Sequence, residues 1–87
     1  MTWEVRLSKQ AVDDVALLKA AGLAKQGKAL LGVLAVNPFQ NPPRYEKLVG
    51  DLSGCYSRRI NRQHRLVYEV DVAQRRVRVL RMWSHYQ

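Results

Sequence analysis

Cysteine occurs once in the 87 residues, so no internal disulfide can form and packing alone must hold the fold. Cys55 is expected to be a buried, inert thiol. Long apolar runs are also missing, with nothing near the roughly 18 residues that cross a bilayer. The opening stretch MTWEVRLSKQ lacks the basic segment, apolar core and small-residue cleavage site of an export signal. A cytoplasmic protein with no membrane association is the expectation. Acidic side chains are scarce, seven against fifteen Lys and Arg, which leaves a net charge of +8 and favours a polyanionic partner.

The basic residues are unevenly placed. Residues 1–43 hold five basic and three acidic side chains, whereas residues 44–87 hold ten and four, and nine of those ten are arginine. Arginine's planar fork binds phosphate in two-pronged fashion and stacks on bases, so RNA or DNA is favoured over a membrane surface. A chain of this length makes one small domain and buries too little for a deep cavity, so chemistry should sit on an exposed face or in a shallow groove.

Strict alternation in TWEVRLS reads as a half-buried strand with Trp3, Val5 and Leu7 on one face. Ser8 can cap a following helix whose apolar stripe is Ala11, Val12, Val15, Ala16 and Leu18, with Lys9, Asp13 and Asp14 outside. Gly22 marks an elbow, and Leu23, Gly27, Leu30, Leu31 and Leu34 form the buried side of a second helix. Asn37-Pro38 and Asn41-Pro42-Pro43 bracket a loop that cannot continue it. Four strands follow, in YEKLV, CYSRRI, HRLVYEV and RRVRVLRMW, separated by turn residues. The expected fold class is α+β: a two-helix hairpin packed on one face of a twisted, mostly antiparallel β-sheet, in the order β-α-α-β-β-β-β.

Period-two alternation tests the sheet's other face. If the helices cover Tyr56, Ile60, Leu66 and Tyr68, then Arg59 and Arg65 point away from them together. Such a patch either binds phosphate or merely keeps the surface soluble. The chain ends Trp83-Ser84-His85-Tyr86-Gln87. With Glu46 and Arg65, the terminal His85 and Tyr86 make up a set of acid/base groups and phosphate binders suited to cleaving RNA without metal. His64 is expected to be a packed structural residue, and Trp3 and Trp83 core residues. Cys55, His64 and His85 form no usual zinc spacing.

The stretch from Glu46 to Tyr68, with Leu52-Ser53-Gly54, Tyr56 to Ile60 (YSRRI) and His64 to Tyr68 (HRLVY), followed by His85-Tyr86, resembles the Txe and YoeB type of toxin in the RelE superfamily of toxin–antitoxin mRNA interferases. The resemblance runs through nearly the whole chain and implies that residues 1–87 form a single RelE/YoeB-like toxin domain that cleaves mRNA in the ribosomal A site. It implies Glu46 as general base toward the ribose 2′-hydroxyl and Arg65 as the group stabilising charge on the scissile phosphate. His85 would be general acid for the leaving 5′-oxygen, with Tyr86 orienting substrate. Arg59 and Lys47 are the expected phosphate contacts, Lys47 as a stand-in for the basic residue that many relatives carry where this chain has Val49. The last strand is heavier in arginine than the pattern (Arg75, Arg76, Arg78, Arg81), Ser84 replaces an aromatic and Gln87 extends the end. No cofactor or metal is implied. The implied partners are a cognate acidic antitoxin of YefM/Axe type, the ribosome with its mRNA, and a second copy in a homodimer. Two other classes stay open: a non-catalytic inhibitor on the RelE/ParE fold, and a basic nucleic-acid-binding module that leaves RNA uncut.

Overall fold

A computed structural model describes residues 2–83. The alternating N-terminal segment forms β1 (Glu4–Leu7), and Ser8 caps α1 (Lys9–Ala20): its Oγ accepts from the Ala11 N–H at 3.1 Å and donates to the Leu80 carbonyl at 2.8 Å. One hydroxyl thus starts the helix and ties it to the sheet. Gly22, at φ 74°, makes the reversal into α2 (Ala24–Val36). Gly27 lets the helices close on each other, because a Cβ there would lie 3.0 Å from Leu18 Cδ1 and 3.2 Å from Met82 Cε.

After the proline loop come β2 (Tyr45–Lys47), a 3-10 turn (Gly50–Leu52), β3 (Cys55–Arg59), β4 (Arg65–Asp71) and β5 (Arg76–Arg81). The sheet order is β1-β5-β4-β3-β2. β2–β3, β3–β4 and β4–β5 pair antiparallel while β1 runs parallel to β5, so the sheet is mixed. The helices cover one face. Between them and the sheet lie Ala11, Leu18, Leu30, Leu34, Ile60, Leu66, Tyr68, Val77, Val79 and Met82. The 3-10 turn is new relative to the expected strand 45–49: Gly50, at φ 72°, turns the chain after Lys47 and Leu48.

Two charged residues are buried, one against the sequence reading and one that it left unassigned. Asp14, expected outside, is buried, and Val12 and Ala16, expected inside, are exposed. The inward stripe of α1 is Ala11, Asp14 and Leu18, with Val15 half-buried beside it. Asp14 can face inward because its Oδ2 accepts from the backbone N–H groups of Met82 (2.9 Å) and Trp83 (3.1 Å) and from Arg81 Nε (2.9 Å). It takes over the donors where β5 ends. The other is Arg58, wholly buried on the helix-covered face. Its guanidinium donates to the carbonyls of Pro43 (2.6 Å), Pro38 (2.8 Å) and Gln40 (2.9 Å), and lies 5.0 Å from the Tyr45 ring centre. The Tyr68 hydroxyl donates to the same Pro38 carbonyl at 2.8 Å. Burial holds the Tyr68 phenol above its ordinary pKa, although the Arg58 cation opposes that shift, so it remains a donor.

Burial by itself would raise the Asp14 pKa. The Arg81 hydrogen bond, the two backbone donors and the Arg81 charge outweigh it, and the carboxyl sits below the usual aspartate value. A depressed carboxyl stabilises the fold above the unfolded-state pKa of about 3.9 and loses that contribution as pH falls through the lower folded value. Asp14→Ala is therefore expected to destabilise the protein by about 2–4 kcal/mol near neutral pH, with a difference from wild type that shrinks as pH falls below about 3.9. Urea unfolding near neutral pH and below about pH 3.9 measures both.

Candidate active site

The open face of the sheet gathers the residues in question through register alone. Glu46 lies directly across from Ser57, and Arg59 directly across from Arg65. Paired residues share a face, and Ser57 and Arg59 are two apart on one strand, so all four project from the uncovered side. With Pro43 and Arg44 they line a shallow pocket of about 240 Å³. Arg65 Nη1 lies 3.2 Å from Glu46 Oε2 and 3.2 Å from Ser57 Oγ. Glu46 is about half exposed and Arg65 mostly buried, so the carboxylate stands at the rim and the guanidinium below it. Neither Arg44 nor Arg59 makes an ion pair among the described residues, and both side chains are exposed. A pocket with one inward carboxylate and three arginines offers a proton acceptor next to an anion site.

Lys47 is not brought to this site. It lies across from Tyr56, on the face of β2 that carries Tyr45, and it is absent from the pocket lining. Alternation is the reason: a neighbour of Glu46 on a strand must point to the opposite side. Val49 is exposed at 85% just before the 3-10 turn. His85 and Tyr86 lie outside the described residues, as do Ser84 and Gln87. His64 is buried and stacks on Trp83 with ring centres 3.8 Å apart, as expected of a packed residue. Trp3 packs against the core edge-on to Phe39.

The arginines of β5 and of the turn before it each lie against a neighbouring side chain. Arg75 lies over the Trp3 ring, Arg76 pairs with Glu4, Arg78 approaches Glu69 and Arg81 binds Asp14. Cys55 is buried on the face of β3 that carries Ser57, and desolvation together with the Glu69 charge raises its thiol pKa, as an inert cysteine requires. Sequence reading missed Ser57 as a pocket residue, although the alternation in CYSRRI places it on the face of Arg59. It also left Arg58 unassigned, and the same alternation puts that residue with Tyr56 on the core side.

Fold and pocket together define a small RelE-like domain with an acid–arginine site on its open sheet face. The family model for the YoeB-like toxins of bacterial type II toxin–antitoxin systems matches residues 7–86, and the chain belongs to that family. Toxin YoeB of Synechocystis sp. is 40% identical over 65 residues, which cover 75% of this chain and 73% of that protein. Among solved structures, the YoeB/ParE toxin from Agrobacterium tumefaciens has a TM-score of 0.84 at 28% identity, covering 95% of this chain and 99% of that one. The YoeB-YefM complex from Staphylococcus aureus has a TM-score of 0.77 at 31% identity, covering 97% and 98%.

The geometry separates two cations that a sequence treats alike. Arg59→Ala should weaken binding of a short RNA about tenfold at low salt and flatten its salt dependence, whereas Lys47→Ala should change either by less than about twofold. Fluorescence-anisotropy titrations at several salt concentrations compare them.

Proposed function

We propose that this type II toxin is a ribosome-dependent mRNA endoribonuclease that works by metal-independent acid/base chemistry. The observation that carries the reading is the Glu46 carboxylate held 3.2 Å from Arg65 at the mouth of an arginine-lined pocket. RNA brings its own nucleophile, so the protein need only deprotonate the 2′-hydroxyl, hold the phosphate and protonate the leaving group. Glu46 takes the 2′-hydroxyl proton, and the 2′-oxygen attacks the adjacent phosphorus. Arg65, with Arg59 at the rim, stabilises the charge that develops on the phosphate oxygens. The bond to the 5′-oxygen breaks, that oxygen collects a proton from His85, and the phosphate is left as a 2′,3′-cyclic diester. Tyr86 orients the substrate beside it.

A non-catalytic inhibitor or a plain RNA-binding module would use the pocket's cations, but it gains nothing from a carboxylate turned in among them. Incubating the purified protein with translating ribosomes and mapping mRNA ends tests the reading. Glu46→Ala and His85→Ala should each slow cleavage about 10²- to 10⁴-fold and Arg65→Ala about 10²- to 10³-fold. Naked RNA should be cut poorly, because a shallow pocket does little to hold a free strand in line for attack. A wild-type rate in both Glu46→Ala and Arg65→Ala would end the catalytic assignment.

The proposed partner is an antitoxin whose acidic segment lies over Arg44, Arg59 and Arg65, as opposite fields speed encounter and carboxylates can pair with the guanidinium groups. Titrating the toxin with the product of the neighbouring gene should abolish cleavage at equivalence. Affinity should fall as salt rises from about 0.05 to 0.3 M, by less than a purely ionic contact would show if apolar anchors contribute.

A further inference from the structure

Ser57 is the one neutral polar residue lining the pocket among the described residues, and the proposed reaction gives it no task. It is completely buried, in the middle of three paired strands with Glu46 across from it on β2 and Val67 on β4. With no exposed surface it cannot bind substrate in this arrangement. Its Oγ, however, accepts a hydrogen bond at 3.2 Å from the same Arg65 Nη1 that lies 3.2 Å from Glu46. The guanidinium nitrogen is shared between a fixed hydroxyl below and a half-exposed carboxylate at the rim.

We propose that Ser57 is a positioning residue that keeps the Arg65 guanidinium aimed at the phosphate when Glu46 turns to the 2′-hydroxyl; this rests on the catalytic reading above. The two partners of Nη1 differ in strength and in freedom. A charge-assisted bond to a carboxylate is roughly twice as strong as one to a neutral hydroxyl. Glu46 is therefore the stronger partner in the empty site, where it lies 3.2 Å from the cation. Glu46 also stands on a three-residue strand at the sheet edge, with about half its side chain in water, so it is the partner free to move. Ser57 turns about a single torsion on a strand paired on both sides and stays put. Once substrate draws the carboxylate away, the hydroxyl remains as an anchor on the inner side. Arginine carries five N–H donors, so an anchor at one nitrogen is compatible with a grip on phosphate. Without that anchor the guanidinium is less firmly placed when the carboxylate moves, and its charge is aimed less well at the phosphate.

The test is a double-mutant cycle read by single-turnover cleavage of ribosome-bound mRNA at saturating and subsaturating ribosome concentrations. Ser57→Ala should lower kcat about tenfold and leave KM within about twofold, because a misplaced cation weakens the transition state more than the ground state. In an Arg65→Ala background the same substitution should have no further effect. Wild-type kcat in Ser57→Ala, or an equal loss with and without Arg65, overturns the proposal. Ser57→Cys, of nearly the same shape but a weak acceptor, enters the same cycle should the alanine variant melt below the assay temperature, and the same two outcomes decide it. Arg65→Ala alone separates the two levels of inference. If it cleaves at the wild-type rate the catalytic reading itself is wrong, whereas a slow Arg65→Ala beside a fast Ser57→Ala removes only the role of Ser57.

Discussion

The site depends on a cation that never reaches water. Arg58 is buried on the helix-covered face of β3, and a desolvated guanidinium is tolerable only if its hydrogens find acceptors. The acceptors are three carbonyls of the segment between α2 and β2, from Pro38, Gln40 and Pro43. That segment is rich in proline and cannot join a helix or strand ladder, so its carbonyls need side-chain donors just as Arg58 needs acceptors. The two terminal nitrogens of Arg58 and these carbonyls satisfy one another, while the buried Nε finds no acceptor among the described residues. The consequence is positional: the loop is drawn onto the sheet, Pro43 and Arg44 reach the pocket rim, and the chain enters β2 with Tyr45 over the guanidinium and Glu46 on the opposite face. A structural arginine on one side of β3 thereby sets where the proposed base stands on the other.

Asp14 does for the end of β5 what Arg58 does for the start of β2. A single buried carboxylate on α1 gathers Arg81 and the backbone donors of Met82 and Trp83, and Trp83 in turn stacks on His64 at the start of β4. The chain leaves this clamp two residues before His85. Both clamps pair a buried ionic side chain with backbone groups that regular structure cannot satisfy. Both also sit where the chain passes from framework to the proposed active groups.

Charge is divided between structure and site. The high net charge pointed to an anionic partner, yet many arginines of the second half are committed to the fold: Arg58 in the loop clamp, Arg75 on Trp3, Arg76 on Glu4, Arg78 near Glu69 and Arg81 on Asp14. Arg44, Arg59 and Arg65 are the ones that face the pocket. Exposed ion pairs such as Arg78 with Glu69 contribute little to stability, but they lower the local potential and leave the pocket as the more strongly basic part of the open face.

Element order, the Ser8 cap, the Gly22 reversal and the shared face of Arg59 and Arg65 were legible in the sequence, because each follows from local periodicity or the chemistry of one residue. The same alternation carries the separation of Lys47 from Glu46 and the inward turn of Arg58, had it been applied to every position of β2 and β3. What periodicity could not supply was long-range satisfaction. Asp14 reads as a surface residue until Met82 and Trp83 arrive from the far end of the chain with unpaired N–H groups. The convergence of Glu46 and Ser57 on one Arg65 nitrogen depends on the register of three strands, and the parallel seat of β1 beside β5 depends on the helices carrying the chain from β1 at one edge of the sheet to β2 at the other. Polarity alone places a charged residue in water; only the tertiary structure decides whether a partner waits for it inside.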